Sequence, residues 1–146
     1  MSHSSIKSAA NVMDVEILKI KCDSNHKLQG ATVAKEIDEF HRDNPEKRVF
    51  AVVATAGTTN LGIIDDLAGI GGAAAERGIW YHVDGAYGLA ALASPKTKPL
   101  FKGVELADSF IVDPHKWLFA PFGCLCAYLS QSRNRESSAY PTRWIS

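Results

Sequence analysis

One lysine in this sequence, Lys116, has neighbours that suit it to covalent chemistry. It follows the apolar run 109–112 after a short Asp-Pro-His segment, and the apolar residues 117–119 come directly after it. A lysine among apolar groups loses hydration of its charged form, and the neutral amine is a nucleophile. The context therefore predicts an amine able to form a Schiff base with an aldehyde.

Polar side chains also follow two other apolar runs. Asp84 comes after residues 79–83, and Thr58 and Thr59 come after residues 49–55. In open parallel sheets, ligands bind beyond the carboxyl ends of the strands, so these residues are candidates for one site. Asp84 could face a cation such as a pyridinium nitrogen, although its position alone equally fits a cap or a turn residue.

Other reactive side chains carry weaker signals. We interpret His82, inside a strand pattern, as structural, and position alone gives His3 no role. Cys124 and Cys126 fall on one face of a predicted strand without a second ligand pair at zinc spacing, so we expect no metal site. The sequence contains no nucleophile elbow, no P-loop and no dinucleotide-binding fingerprint.

The spacing of hydrophobic residues predicts the helices and strands that position these side chains. Helices are predicted over residues 3–13, from an N-cap at Thr32 to Asn44, and from the acidic pair Asp65-Asp66 to Gly78. Strands are predicted over residues 15–20, 49–55, 79–83, 109–112 and 124–129, with 49–55 buried on both faces. This order predicts an α/β fold, a mostly parallel sheet flanked by helices with an antiparallel last strand.

Composition excludes several classes of protein. The chain has 146 residues, 46% of them hydrophobic, and sixteen basic residues balance sixteen acidic ones. Without a basic stripe or a long apolar run, we expect neither a nucleic-acid partner nor a membrane. Three cysteines without a disulfide pattern predict reduced thiols and a cytoplasmic protein. The polar residues 130–146 predict a poorly ordered tail.

Three segments together carry a resemblance to a known family. They are VVATAGTTNLGIID at 52–65, WYHVDGAYG at 80–88 and ADSFIVDPHKWLFAPFGC at 107–124. The chain resembles the group II pyridoxal-phosphate-dependent amino-acid decarboxylases, the family of aromatic-L-amino-acid and glutamate decarboxylases. The resemblance implies that residues 1–129 are part of the large domain of a fold-type I enzyme, which decarboxylates an L-amino acid as a homodimer with pyridoxal 5'-phosphate (PLP).

The resemblance also implies roles for individual residues. Lys116 would carry PLP as a Schiff base, Asp84 would bind the pyridine nitrogen, and His3 would stack on the ring. These three are the implied catalytic residues. The other implied cofactor-binding residues are Ala86 on the second ring face, Thr59 near the ring substituents, and His115 near the phosphate and substrate.

Two residues differ from the family pattern, and two other functions remain open for the chain. Gly85 stands where the family usually has Ala, and Asp113 stands where several members have Asn, so an acid would lie near the phosphate unless it points away. Because family members are far longer, we expect this chain to be the middle of a larger domain, without the upstream phosphate-binding segment and the C-terminal domain. The alternatives are a non-catalytic remnant that binds at most a ligand or partner, and another fold-type I enzyme such as an aminotransferase.

Overall fold

The computed structural model describes residues 3–121 and 126–129. The described α-helices are α1 Ser4–Met13, α2 Gly30–Asp43 and α3 Leu67–Glu76. The described strands are β1 Ala51–Thr55, β2 Trp80–Asp84, β3 Ser109–Val112 and β4 Cys126–Leu129. Three short 3-10 helices, Gly88–Ala93, Lys98–Phe101 and Val104–Leu106, lie between β2 and β3.

The four described strands form one sheet in the order β1-β2-β3-β4. β1, β2 and β3 run parallel, and β4 runs antiparallel to β3. Parallel neighbours need a crossover connection, which α3 provides between β1 and β2. The predicted α/β fold with an antiparallel last strand is confirmed.

One face of β1 and β2 is buried, together with the inner sides of α2 and α3, in a continuous hydrophobic core. Val52 and Ala54 on β1, and Tyr81 and Val83 on β2, are buried, whereas the intervening residues are half-buried or exposed. Successive side chains of a strand point to opposite faces, so β1 has one fully buried face. The prediction that 49–55 is buried on both faces is wrong, because the apolar run reflects residue type and not equal burial.

A single carboxylate, that of Asp66, accepts hydrogen bonds at the N-termini of both α2 and α3. Asp66 Oδ2 accepts a hydrogen bond from Gly30 N at 3.1 Å, and Asp66 Oδ1 accepts one from Gly69 N at 3.0 Å. A Cβ added to Gly30 would lie 2.2 Å from the carbonyl carbon of Gly69, so the two helices approach backbone to backbone. The predicted N-cap at Thr32 is wrong, because α2 begins at Gly30 and its cap comes from a distant residue.

The predicted strand 15–20 is also wrong. It pairs with none of the four strands of the described sheet. Branched side chains favour an extended backbone, but a strand also needs a hydrogen-bonded neighbour. Ile20 packs against the core instead, and Glu16 Oε2 lies 2.8 Å from Lys47 Nζ in the segment before β1.

Within the described residues, no helix combines the length and the apolar character needed to cross a bilayer. The predicted tail at 130–146 and Cys124 of the predicted last strand lie outside the described residues.

Candidate functional site

The loops that follow β1, β2 and β3 lie together at the carboxyl edge of the sheet. Thr55 at the end of β1 is paired with Asp84 at the end of β2, and Ala56 N donates a hydrogen bond to Asp84 O at 2.8 Å. On the other side, Asp113 N donates to Ala86 O at 3.1 Å. Backbone hydrogen bonds therefore join the loop after β2 to both of its neighbours.

The loop after β1 is a tight turn with Thr59 near its exposed tip. Gly57 N and Thr58 N both donate to Ile63 O, at 3.0 and 2.9 Å, and Thr58 Oγ1 accepts from Ile63 N at 3.0 Å. Gly57 has a φ of 96°, and a Cβ there would lie 2.7 Å from Gly88 Cα. Only glycine suits this conformation at such a close approach.

The loop after β2 presents Asp84 and Ala86. The half-buried carboxylate of Asp84 accepts a hydrogen bond from Ala86 N through Oδ1 at 3.3 Å. A carboxylate has several acceptor positions, so this one long bond leaves capacity for a further donor. Gly85 does not leave the turn loose as its small size suggests, because the Leu89 side chain fills the space, with Cγ 2.0 Å from the position of an added Cβ.

The loop after β3 begins with a turn that sequence chemistry favours. Lys116 N donates to Asp113 O at 3.1 Å, which closes a four-residue turn with Pro114 in its second position. Asp in the first position and Pro in the second are typical of such turns, because proline fixes φ near the required value. The turn places the side chains of Asp113, His115 and Lys116 close to one another.

Asp113 is the buried centre of this turn. Its Oδ1 lies 2.5 Å from His115 Nδ1, and its Oδ2 lies 3.6 Å from Lys116 Nζ. The Asp113 side chain is only 8% exposed, whereas those of His115 and Lys116 are both 32% exposed. Oδ1 has no hydrogen bond within the described residues, and its short contact with His115 Nδ1 is an ion pair only when the imidazole is protonated.

Lys116 does not lie in the apolar surroundings that its sequence neighbours suggested. A carboxylate is its nearest described charge, and the apolar residues that follow face outward, with Phe119 90% exposed. Trp117 makes an edge-on contact with Tyr87, whose ring centre lies 5.1 Å away, and this contact joins the loops after β2 and β3. The amine is therefore accessible, and it has a counter-ion.

Two half-buried titratable groups bind the strands that lead to this edge. Asp65 accepts hydrogen bonds from Thr55 N at 2.7 Å and Leu28 N at 2.8 Å, and burial raises the pKa of its carboxyl group while these bonds oppose the rise. Burial lowers the pKa of His82, with the charge of Asp84 opposing this shift. His82 Nδ1 lies 2.8 Å from Ser109 Oγ on β3, which agrees with a structural role.

His3 is placed elsewhere. It is the N-cap residue of α1, where its Nδ1 accepts a hydrogen bond from Ser5 N at 3.2 Å. It is exposed and lines a shallow groove between α1 and residues 15–19, with Lys7 and Ile17 among the other lining residues. Among the described contacts, none joins His3 to Asp84 or Lys116.

The structure thus brings Asp84, Ala86, His115 and Lys116 to one edge and sets Thr59 on the adjoining loop. Sequence reasoning missed the support that Asp65 gives to the end of β1, because an acidic pair before a helix reads as a helix start. It also missed the double contact of Asp113. The signal for that contact was present, since an Asp-Pro pair directly before a His and a Lys predicts a turn that joins them.

Comparisons with known proteins now place the chain. The family model described as "Pyridoxal-dependent decarboxylase conserved domain" matches residues 1–138. The chain belongs to this family of pyridoxal-dependent decarboxylases. This match confirms the resemblance to the pyridoxal-phosphate-dependent decarboxylases.

Individual relatives agree with this assignment. An aromatic-L-amino-acid decarboxylase of Manduca sexta is 40% identical over 132 residues, which is 90% of this chain and 26% of the relative. The crystal structure of mouse CSAD matches with a TM-score of 0.83 and 30% identity over 91% of this chain and 28% of that one. The structure of Oryza sativa TDC with PLP matches with a TM-score of 0.76 and 27% identity, over 88% and 28% of the two chains.

The chain therefore spans about a quarter of the length of the relatives it matches. The residues it does contain suit most of the cofactor that the family name implies. Lys116 offers an accessible amine for an aldehyde, and Asp84 offers a carboxylate with spare acceptor capacity for a ring nitrogen. His115, which the resemblance sets near the phosphate, already has Asp113 against its Nδ1.

Proposed function

We propose that this chain is the lysine-bearing part of a PLP-dependent enzyme that decarboxylates an L-amino acid to an amine and CO₂. One observation carries the proposal. Lys116 and Asp84 extend from neighbouring parallel strands at the same carboxyl edge, where the hydrogen bond from Asp113 N to Ala86 O joins their loops. Membership of the family gives this pair of side chains its chemical meaning.

The chain's own residues would then divide the work. The Nζ atom of Lys116 would hold the cofactor covalently. Asp84 would keep a proton on the pyridine nitrogen, and the methyl group of Ala86 would leave room for a flat ring beside the same loop. The bound cofactor supplies an electron-poor ring that accepts the electron pair of the Cα–carboxylate bond.

The remaining residues have roles that rest on the family resemblance. Thr59 would contact ring substituents, His115 the phosphate and the substrate, and His3 the ring face opposite Ala86. The first two lie at or beside the edge that bears Lys116. For His3, the role requires α1 to sit closer to this edge in the assembled enzyme than its described contacts indicate.

The covalent role of Lys116 is tested by labelling. The purified chain is mixed with PLP, its visible absorbance is recorded, and borohydride is added before peptide mapping by mass spectrometry. We expect an absorbance band and a reduced label on Lys116, both lost in Lys116→Met. The control variant Lys35→Met removes an exposed lysine on α2 and should keep both signals. A label spread over other lysines, or retained in Lys116→Met, would refute the role.

The reaction is tested separately. Labelled CO₂ release is measured from a panel of carboxyl-labelled L-amino acids, beginning with aromatic ones because the Manduca sexta relative is named for them. CO₂ release that is lost in Lys116→Met supports the decarboxylase. A band without CO₂ release would support a cofactor-binding remnant, and amino transfer to a keto acid would support the aminotransferase alternative.

We also propose a homodimer in the cytoplasm. The support is the family resemblance, together with exposed apolar side chains next to the site, Leu118 and Phe119. Sedimentation equilibrium with PLP present tests the dimer. A single species with the mass of one chain, at concentrations where the cofactor is bound, would contradict it.

A further inference from the structure

We propose that Asp113 is an internal anion that pairs with the side chains of Lys116 and His115, and that an anionic aldehyde must displace it to bind. This inference rests on the proposed function, because it concerns how Lys116 becomes available. It assigns Asp113 as a positioning residue, which acts through Lys116 and His115. It also implies that the chain as it stands favours an uncharged aldehyde more than a chain with an amide at this position would.

The carboxylate of Asp113 contacts two basic side chains. One carboxylate serves two partners, with Oδ1 2.5 Å from His115 Nδ1 and Oδ2 3.6 Å from Lys116 Nζ. The turn hydrogen bond from Lys116 N to Asp113 O and the bond from Asp113 N to Ala86 O fix this carboxylate to the backbone of the edge. Asp113 therefore cannot leave its partners without a change in its side-chain conformation.

The carboxylate of Asp113 is also buried. The side chain of Asp113 is 8% exposed, and its Oδ1 has no hydrogen bond within the described residues. A buried carboxylate oxygen without a hydrogen bond depends on neighbouring positive charge, because removal from water is costly for an ion. Lys116 provides such charge, and His115 adds to it when its imidazole is protonated, so Asp113 already occupies both side chains.

Asp113 would compete with a bound phosphate for the same two side chains. A phosphorylated aldehyde brings its own negative charge, and an Arg, Lys or His side chain is the usual protein partner for such a group. At this edge it would meet the carboxylate of Asp113, which already contacts both Lys116 and His115. An isosteric amide would remove this repulsion and leave Lys116 and His115 without their anionic partner.

The experiment compares two aldehydes in three proteins. PLP carries a phosphate and pyridoxal does not, and each is titrated by visible absorbance against the wild-type chain, Asp113→Asn and Asp113→Glu. We expect Asp113→Asn to bind PLP about tenfold more tightly, as expected for about 1.4 kcal/mol of relieved repulsion. Pyridoxal binding should change by less than about twofold. Asp113→Glu, which keeps the charge, should stay close to wild type.

A second measurement does not involve the cofactor. Competitive acetylation compares Lys116 with the exposed control Lys35 by mass spectrometry, because acetylation reports how free an amine is. We expect Asp113→Asn to raise the Lys116-to-Lys35 ratio several-fold and Asp113→Glu to leave it near wild type. Circular dichroism confirms that each variant keeps its fold.

Two results would overturn the role of Asp113. Equal changes for PLP and pyridoxal would indicate a merely structural role and overturn it, as would an unchanged acetylation ratio in Asp113→Asn. If PLP labels Lys116 in none of the three proteins, the proposed function fails, and the acetylation ratio alone decides whether Asp113 holds Lys116.

Discussion

The helix-covered layer, which consists of α2, α3 and the buried face of β1 and β2, differs from the carboxyl edge of the sheet in burial and in polarity. The layer is apolar and closely packed, with Ile70 on α3 and Tyr81 on β2 fully buried. The edge carries Lys116 and Thr59 in loops that are partly or fully exposed. This difference indicates that separate residues provide stability and reactivity, so changes in one region should leave the other nearly intact.

The largest expected effect is the loss of a core side chain. Ile70→Ala should lower the free energy of unfolding by about 2–5 kcal/mol, because it removes buried methyl groups and leaves a cavity. The matched edge variant Leu61→Ala, in a residue that is 65% exposed, should change it by less than about 0.5 kcal/mol. Urea denaturation measures both. Similar losses would show that the edge contributes to stability as the core does.

The next effect tests the backbone contact between α2 and α3. Gly30→Ala places a methyl group against the backbone of Gly69 and should cost about 1–3 kcal/mol of stability. Gly72→Ala is the control, because a Cβ there meets nothing within 4 Å in the middle of α3. Alanine should stabilise that position by up to about 1 kcal/mol. Thermal unfolding of the two variants should therefore shift in opposite directions.

A smaller effect is expected from the shared helix cap. Asp66→Ala removes the acceptor for Gly30 N and Gly69 N and should cost about 1–2 kcal/mol. Asp66→Asn keeps one acceptor oxygen and should cost less. Borohydride labelling of Lys116 with PLP, measured at a temperature where each variant is folded, should be unchanged in both. Reduced labelling would show that the layer also controls the edge.

The smallest effect concerns pH. Burial lowers the pKa of His82 in the folded chain, so the unfolded chain binds a proton at higher pH. Stability should therefore fall as the pH drops below about 6.5, the pKa of an unperturbed histidine. His82→Asn cannot titrate and should show a weaker fall in the free energy of unfolding between pH 7.5 and pH 5.5. Identical slopes in the two proteins would contradict this origin.

Local patterns were enough to predict much of the covered layer. The apolar spacing of Leu67, Ile70 and Ala74 predicted α3, and the acidic pair before it predicted where the helix begins, since Asp66 is its N-cap. The spacing of Val33 and Ile37 predicted α2 but not its first residue, because the cap comes from across the chain. Long-range partners of this kind leave no local trace in a sequence.

The candidate site divides in the same way. The position of Asp84 directly after one apolar run, and that of Lys116 just beyond the Asp-Pro-His segment after another, predicted that they would share one edge. The surroundings of Lys116 were predicted incorrectly, because neighbours in sequence were treated as neighbours in space. Its apolar neighbours face outward, and the buried Asp113 lies beside it instead. Residue order locates a side chain along a strand, but the turn that follows decides what it touches.

The direct join between β3 and its turn has a consequence for how this chain can vary in length. β3 ends at Val112 and the turn begins at Asp113, with no residue between them. One inserted residue would move the lysine by about 3.3 Å and reverse the face on which the turn begins. The exposed tip of the loop after β1, around Gly62, has no such constraint. Among relatives, insertions and deletions should therefore collect at that tip and be absent between residues 109 and 116.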